Sequence, residues 1–438
     1  MLTLLAFAMV ATFMTLIMTG RVSALVALIL TPVAFGLLAG HGADLGPMML
    51  EGVKALAPTG VMLAFAILFF GLMTDAGLFD PLVALIVRIV HGDPVRIVVG
   101  SAVLALLVSM DGDGSTTYLI CCTAMIPLYR RMGLNPLILA CLLMLACGVT
   151  NITPWGGPTA RAAGALHLDA GDVFLPMIPA MLAGAAFILL AAYGLGRGER
   201  RRLAALSSDG TVRDPGAADL TEDLVRTNDL TERPRLILVN LVLTLALLAG
   251  LVLGVLPLPA LFMIATALAL VLNYPSLAAQ KARIAAHAPN ILPVISLIFA
   301  AGIFTGILNG TGMTDAMAGS VTGLIPPALG PHMAPVTALL AMPFTFFISN
   351  DAFYFGILPI LSEAAAPYGI APVEMARASL TGQAVHLLSP LVPSTYLLVG
   401  LVRVELAQHQ RFTLAWAVAL SLVLLGAGIL TGAIPLAG

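Results

Sequence analysis

The chain has 438 residues, of which 60% are hydrophobic and 10% charged, with a formal net charge of −2. A soluble domain carries about 25% charged residues. This composition therefore excludes a soluble enzyme or a nucleic-acid binder, and it points to an all-α polytopic membrane protein whose solvent is lipid.

Apolar stretches over residues 2–19, 22–40 and 58–75 predict spanning helices, since about 20 apolar residues cross a bilayer. No basic leader or small-residue cleavage site opens the chain, so the first stretch is expected to stay as a membrane helix. Residues 79–91, closing at His91-Gly92-Asp93-Pro94, predict a helix lying at the interface. Two apolar arms follow, about 95–109 and 116–129, separated by the polar, glycine-rich tip Met110-Asp111-Gly112-Asp113-Gly114-Ser115. That pattern predicts a re-entrant hairpin. A helix at 134–150, a break over 151–159, a continuation to about 168 and a helix at 173–195 complete the first half.

Residues 196–235 are polar and charged and predict a solvated linker. The second half then repeats the order: 236–254, 258–274, 291–308, a short 312–322, hairpin arms 335–348 and 352–365, a broken helix over 373–403 and a last helix at 412–434. The repeat is visible in the residues. Gly71, Gly77 and Asp80 fall on Gly306, Gly312 and Asp315 at an offset of about 235, and Gly133, Pro136 and Pro154 fall on Gly369, Pro372 and Pro390 at nearly the same offset. Repeated halves with broken hydrophobic segments mark secondary transporters.

Five crossings plus a hairpin in each half make the second half enter from the opposite face. The expected organisation is two inverted repeats, 1–195 and 236–438, joined by a cytoplasmic linker, with both termini outside and the protein in a bacterial inner membrane. The distribution of positive charge agrees. Arg21, Arg88, Arg96, Arg130, Arg131, the linker arginines, Lys281, Arg283, Arg403 and Arg411 share one side, and only Lys54, Arg161 and Arg377 fall elsewhere. Cys121, Cys122, Cys141 and Cys147 lie in apolar segments and read as small buried hydrophobes. No cluster of histidines and cysteines suggests a resident metal or any other cofactor.

Non-helical backbone survives in a bilayer only where protein or a wet cavity satisfies it. Four interruptions are therefore candidate walls of a binding site. The first tip offers Gly112, Gly114, Ser115 and Thr116, and the first break offers Asn151, Thr153, Pro154, Gly156, Gly157 and Thr159. The second tip offers Ser349 and Asn350, and the second break Ser389, Pro390, Ser394 and Thr395. Helix ends here present free N–H groups to anions, while freed carbonyls and hydroxyls suit cations. The plain alternative is that the Pro and Gly breaks are simple kinks.

Carboxylates at membrane depth usually mark an ion or proton path. Asp111, Asp113 and Asp351 are the candidates, with Asp113 and Asp351 taken as corresponding positions; each could also cap the arm after its tip. Asp80 and Asp315 read as caps of the short interfacial helices. Arg161 could face an anionic substrate or pair with Asp113. His386 is a candidate proton carrier or a packing residue. Trp155, inside the first break, is expected to be a gate or a wall.

Ser-Met-Asp-Gly-Asp-Gly-Ser-Thr-Thr-Tyr (109–118), Asn-Ile-Thr-Pro-Trp-Gly-Gly-Pro-Thr-Ala-Arg-Ala (151–162), Ile-Ser-Asn-Asp-Ala-Phe-Tyr-Phe-Gly (348–356) and Ser-Pro-Leu-Val-Pro-Ser-Thr-Tyr (389–396) resemble the citrate–divalent-metal symporters, the CitMHS family of the ion-transporter superfamily. The resemblance implies two inverted five-helix repeats with paired hairpins, a homodimer, and proton-driven uptake of citrate bound to a divalent cation of the Mg²⁺ or Ca²⁺ type. It also implies that Asp111, Asp113 and Asp351 meet that cation through the substrate or carry the proton. The dicarboxylate–sodium relatives carry Ser-Asn-Thr at each tip, and this chain departs from that pattern at Asp111-Gly112-Asp113 and at Asp351. Hard divalent cations prefer oxygen ligands, so extra carboxylates suit a metal-bound substrate. A carrier of another carboxylate or of an inorganic ion remains the alternative, and an intramembrane enzyme a distant one.

Overall fold

A computed structural model describes residues 2–19, 21–90, 92–112, 114–208, 234–322, 326 and 328–438. Every regular element among them is helical. The first half runs α1 (Leu2–Met18), α2 (Ala24–Leu38), α3 (Leu45–Asp75), α4 (Asp80–Ile89), hairpin arms α5 (Pro94–Val108) and α6 (Gly114–Arg131), the broken pair α7 (Pro136–Thr150) and α8 (Gly157–Ala165), a short α9 (Ala170–Phe174) and α10 (Ile178–Ser208). The second half runs α11 (Pro234–Val252), α12 (Leu258–Asn273), α13 (Leu277–Gly310), α14 (Met313–Thr322), arms α15 (Met333–Phe347) and α16 (Leu358–Ala365), the broken set α17 (Pro372–Leu380), α18 (Gln383–His386) and α19 (Pro393–Val402), and α20 (Leu406–Leu430). Five stretches, Leu45–Asp75, Pro94–Asp111, Ala170–Leu206, Leu277–Gly310 and Leu406–Leu430, are long and apolar enough to cross a membrane.

Three helices outrun their expected bounds. α3 begins at Leu45 rather than 58 and α13 at Leu277 rather than 291, and both pass through internal prolines. α10 continues to Ser208, so residues 196–208 of the expected linker are helix, and the remainder up to 233 lies outside the described residues. Hydropathy sees only the apolar part of a helix. Polar turns such as the one carrying Glu51 and Lys54 extend it beyond that stretch without changing its pattern.

Local sequence sets where the elements start. The Asp93 carboxylate accepts from the Val95 N–H at 3.0 Å, and the Asn135 side chain accepts from the Leu137 N–H at 3.0 Å. Each cap is followed by a proline whose missing N–H would have been unpaired anyway. In α17 the Glu374 carboxylate reaches back to the Ala371 N–H at 2.7 Å. The repeat survives in backbone geometry. Gly77 (φ 73°) and Gly312 (φ 70°) both follow the long helix of their half, and Gly133 (φ 64°) and Gly369 (φ 82°) both precede the broken one. The left-handed region favours glycine at all four turns. Asp80 and Asp315 each stand in the first turn of a short helix, where the helix dipole favours an acid.

α3 and α13 pack against each other along an extensive contact. Gly52 lies against Gly302 and Gly306, and a Cβ added at Gly52 would collide with the Gly302 carbonyl. Such small-residue crossings hold membrane helices together by close van der Waals contact. The four cysteines are buried and none is in a disulfide.

The last helix of each half is tied to the base of its own hairpin. In the first half Arg200 pairs with Asp93 at 2.6 Å, Arg202 donates to the Gly133 carbonyl at 2.6 Å, and Glu199 accepts from the Asn135 N–H at 3.0 Å. The Arg200 guanidinium holds Asp93 below the usual carboxylate range, against the opposing effect of burial and with the Val95 N–H and Arg96 adding to it. In the second half the tie is made by the segment after α20, through one backbone N–H and one backbone carbonyl. The Gly438 N–H donates to the Pro331 carbonyl at 2.8 Å, and the Leu436 carbonyl accepts from His332 Nδ1 at 2.6 Å.

Candidate functional site

The four interruptions meet. The first tip touches the first break through the Trp155 indole N–H, which donates to the Met110 carbonyl at 2.9 Å. It touches the second break where Ser394 Oγ lies 3.7 Å from the position of a Cβ on Gly114. The second tip reaches the first break's helix through an ion pair between Arg161 Nε and Asp351 Oδ1 at 2.6 Å. The end of its first arm is held by the second broken helix, where Ser389 Oγ donates to the Phe346 carbonyl at 2.7 Å and His386 Nδ1 donates to the Thr345 carbonyl at 2.7 Å. The two broken helices touch just before their breaks, with Gly148 against Ala384. These residues correspond at an offset of 236, so this contact marks the axis relating the halves.

Each break is closed by the same bond. Thr159 Oγ1 donates to the Asn151 carbonyl at 3.2 Å, and Thr395 Oγ1 donates to the Leu387 carbonyl at 2.5 Å, eight residues back in both cases. The hydroxyl protons of Thr159 and Thr395, expected to face a substrate, are thus used inside the fold. In the first break Ile152, Thr153, Pro154, Trp155 and Gly156 are all buried, and Asn151 and Gly157 are half-buried. Gly156 is required, because a Cβ there would collide with the Asn151 carbonyl. The second break is more open, with Pro390 exposed and its carbonyl accepting from the Tyr396 hydroxyl at 2.9 Å.

At the first tip Asp111 is buried, Gly112 takes the left-handed conformation (φ 79°) against the Trp155 ring, and Ser115 and Thr116 stand half-buried in the first turn of α6. Asp113 lies outside the described residues. At the second tip the cap is Ser349, whose Oγ accepts from the Ala352 N–H at 3.1 Å, and not Asp351. Asn350 Oδ1 is buried with no hydrogen-bond partner. At the offset of 236 that relates Gly133 to Gly369, Asp351 falls level with Ser115 and Asp113 with Ser349.

Arg161 and Asp351 are the charged centre of the cluster, with side chains 24% and 17% exposed. Beside them the Tyr354 hydroxyl accepts from Gln383 Nε2 at 2.7 Å and lies 3.5 Å from the Ser379 carbonyl, and Gln383 Oε1 is buried without a partner. Sequence reasoning missed Tyr354 and the aromatic wall behind Trp155. The Trp155 ring lies 5.2 Å from Phe70 on α3 and 5.3 Å from Phe262 on α12. Only the position of Tyr354, three residues past a polar tip, could have drawn notice to it.

The family whose model matches residues 5–382 is CitMHS, described as citrate transporter. The chain is 56% identical over 435 residues to the "Citrate transporter" of Bacillus subtilis (strain 168), covering 99% of this chain and 100% of that protein. It is 50% identical over 435 residues to the "Mg(2+)/citrate complex secondary transporter" of the same organism, covering 99% of each. Among solved structures, the YdaH transporter of Alcanivorax borkumensis matches with a TM-score of 0.56 at 17% identity, over 91% of this chain and 90% of that one. MtrF of Neisseria gonorrhoeae matches with a TM-score of 0.60 at 13% identity, over 89% and 84%. These two likenesses concern the fold.

Proposed function

The chain belongs to the citrate transporter family, and on that premise we propose that it takes up citrate as a complex with a divalent cation, driven by protons, exposing one site to each membrane face in turn. It is a multi-pass membrane transporter rather than an enzyme. In this reading the linker around 209–233 is cytoplasmic, the termini face outward, and the protein sits in the inner membrane.

The observation that carries the reading is the Arg161–Asp351 pair at the meeting point of the two halves. An ion pair removed from water is held only while each charge has its partner. A metal–citrate complex presents both signs at once. Its carboxylates can take Arg161 while its cation is met by Asp351, so the complex exchanges one internal pair for two external ones. Free citrate could satisfy Arg161 only, leaving Asp351 beside further negative charge. Hard divalent cations favour such oxygen donors, and in this reading Asp111, buried at the first tip, supplies a second carboxylate. Ser115, Thr116, Asn151, Ser349, Asn350 and Ser394 complete the polar lining. Protonation of one of these carboxylates couples the cycle to the proton gradient.

Radiolabelled citrate uptake into proteoliposomes tests this. Uptake should require Mg²⁺ or Ca²⁺ and an inward proton gradient. Full uptake in the presence of a chelator, with no divalent ion, would rule out the complex as cargo.

A further inference from the structure

The carbonyl at the end of each hairpin's first arm has no partner within its helix and must find one elsewhere. In the second half, the Phe346 carbonyl receives the Ser389 hydroxyl at 2.7 Å. The first half carries a hydroxyl at the corresponding place: Thr153 lies 236 residues before Ser389, as Met110 lies 236 before Phe346. Yet Thr153 Oγ1 is buried, with the residue 0% exposed, and has no hydrogen-bond partner. The corresponding acceptor, the Met110 carbonyl, receives the indole N–H of Trp155, whose counterpart in the second half is Leu391.

An enclosed hydroxyl without a partner costs about 1–3 kcal/mol. The fold tolerates this while the indole ring is seated beside Phe70 and Phe262, on helices α3 and α12 outside the hairpin and the broken helix. Any displacement of the hairpin and broken helix against α3 and α12 must pull the ring off that wall or break its bond to Met110. Thr153 stands where the second half already keeps the donor for that situation.

We propose that Trp155 and Thr153 are alternative donors to the Met110 carbonyl, so that Trp155 latches the first tip to the aromatic wall in the present conformation and Thr153 holds the tip once the latch opens. Both are positioning residues: they act through the tip that carries Asp111 and Gly112. The use of the latch during transport rests on the cargo reading above; the exchange of donors does not.

A double-mutant cycle on thermal stability in detergent tests the exchange without any cargo. Thr153→Val keeps the shape and removes the hydroxyl. With Trp155 present it should leave Tm unchanged or raise it, because it removes an unsatisfied group. In a Trp155→Phe background, which keeps a ring on the wall but offers no N–H, the same change should lower Tm, because Met110 loses its remaining donor. Trp155→Leu, the residue of the second half, provides a second background. An equal effect of Thr153→Val in all three backgrounds overturns the proposal.

Fluorescence tests the latch in action. The chain has two tryptophans, so Trp416→Phe leaves Trp155 as the sole reporter. Adding citrate with Mg²⁺ should shift its emission to longer wavelength and raise its quenching by acrylamide, and Thr153→Val should reduce both changes. An unmoved signal in protein that is taking up citrate overturns the latch while leaving the cargo reading intact. If citrate with Mg²⁺ is not taken up at all, the cargo reading fails, and the stability cycle still decides the exchange.

Discussion

In the first half the helix break is roofed by Trp155, buried against Phe70 and Phe262, whereas in the second half Leu391 occupies that place and is 46% exposed. Gly156 in the first break corresponds to Val392 in the second, and the Arg161–Asp351 pair corresponds to Leu397 and Ser115, neither of them charged. The backbone closures are nevertheless the same, down to threonine bonds that each reach back eight residues. Shared backbone gives both halves the same way to rearrange. Side chains that differ across the axis give the two resulting states different energies, and a ligand can then shift the balance between them.

The largest expected effect comes from the charged pair that the mirror position lacks. Arg161→Gln leaves Asp351 without its partner in a mostly enclosed site. That should cost about 2–3 kcal/mol, at the low end for such pairs because both groups keep some solvent, or roughly 30- to 150-fold in citrate uptake. Arg161→Gln combined with Asp351→Asn should cost less than the two single changes added together, since the second removes the stranded charge. Leu397→Gln, on the other half, should change uptake by less than tenfold. Additive losses at Arg161 and Asp351 would show that the pair is not coupled and that its place at the centre is incidental.

Next is the break itself. Gly156→Ala forces a Cβ into the Asn151 carbonyl and should lower stability by about 1–3 kcal/mol, read as a drop in Tm in detergent. Val392→Ala removes two methyl groups from a position that already accepts a Cβ and should cost less. If the order were reversed, the first break would not be the tighter of the two.

Much of this was legible in the residues. Gly77 with Gly312, Gly133 with Gly369 and Pro154 with Pro390 carry backbone requirements, and such requirements repeat when a fold repeats. The tips and breaks stood out for the same reason, because polar or proline-rich interruptions of apolar helices need protein around them. What could not be read is where a side chain finds its partner. Arg161 pairs with Asp351, 190 residues away, and the Trp155 indole is spent on a carbonyl. Neither choice leaves a periodic trace. The starts of α3 and α13 were missed because their outer turns carry polar residues, which hydropathy assigns to loops.

The smallest expected effect separates the two ways of tying a last helix to its hairpin. Asp93 is held below the usual aspartate value, first by its bond to Arg200. A depressed carboxylate contributes stability that is complete above the unfolded value, about 3.9, and is lost as pH falls through the lower folded one. Asp93→Asn should therefore differ from the parent by a small, constant Tm offset between pH 7 and pH 5, and the offset should shrink only below about pH 4. Arg200 is exposed and Asp93 half-buried, so added salt should shrink it too. The second half is tied by the Gly438 N–H to the Pro331 carbonyl and by His332 to the Leu436 carbonyl, with no carboxylate involved. Hydrogen exchange should accordingly show the base of the first hairpin opening in acid before the base of the second; simultaneous opening would mean that the Asp93–Arg200 bond contributes nothing to holding α10 against α5.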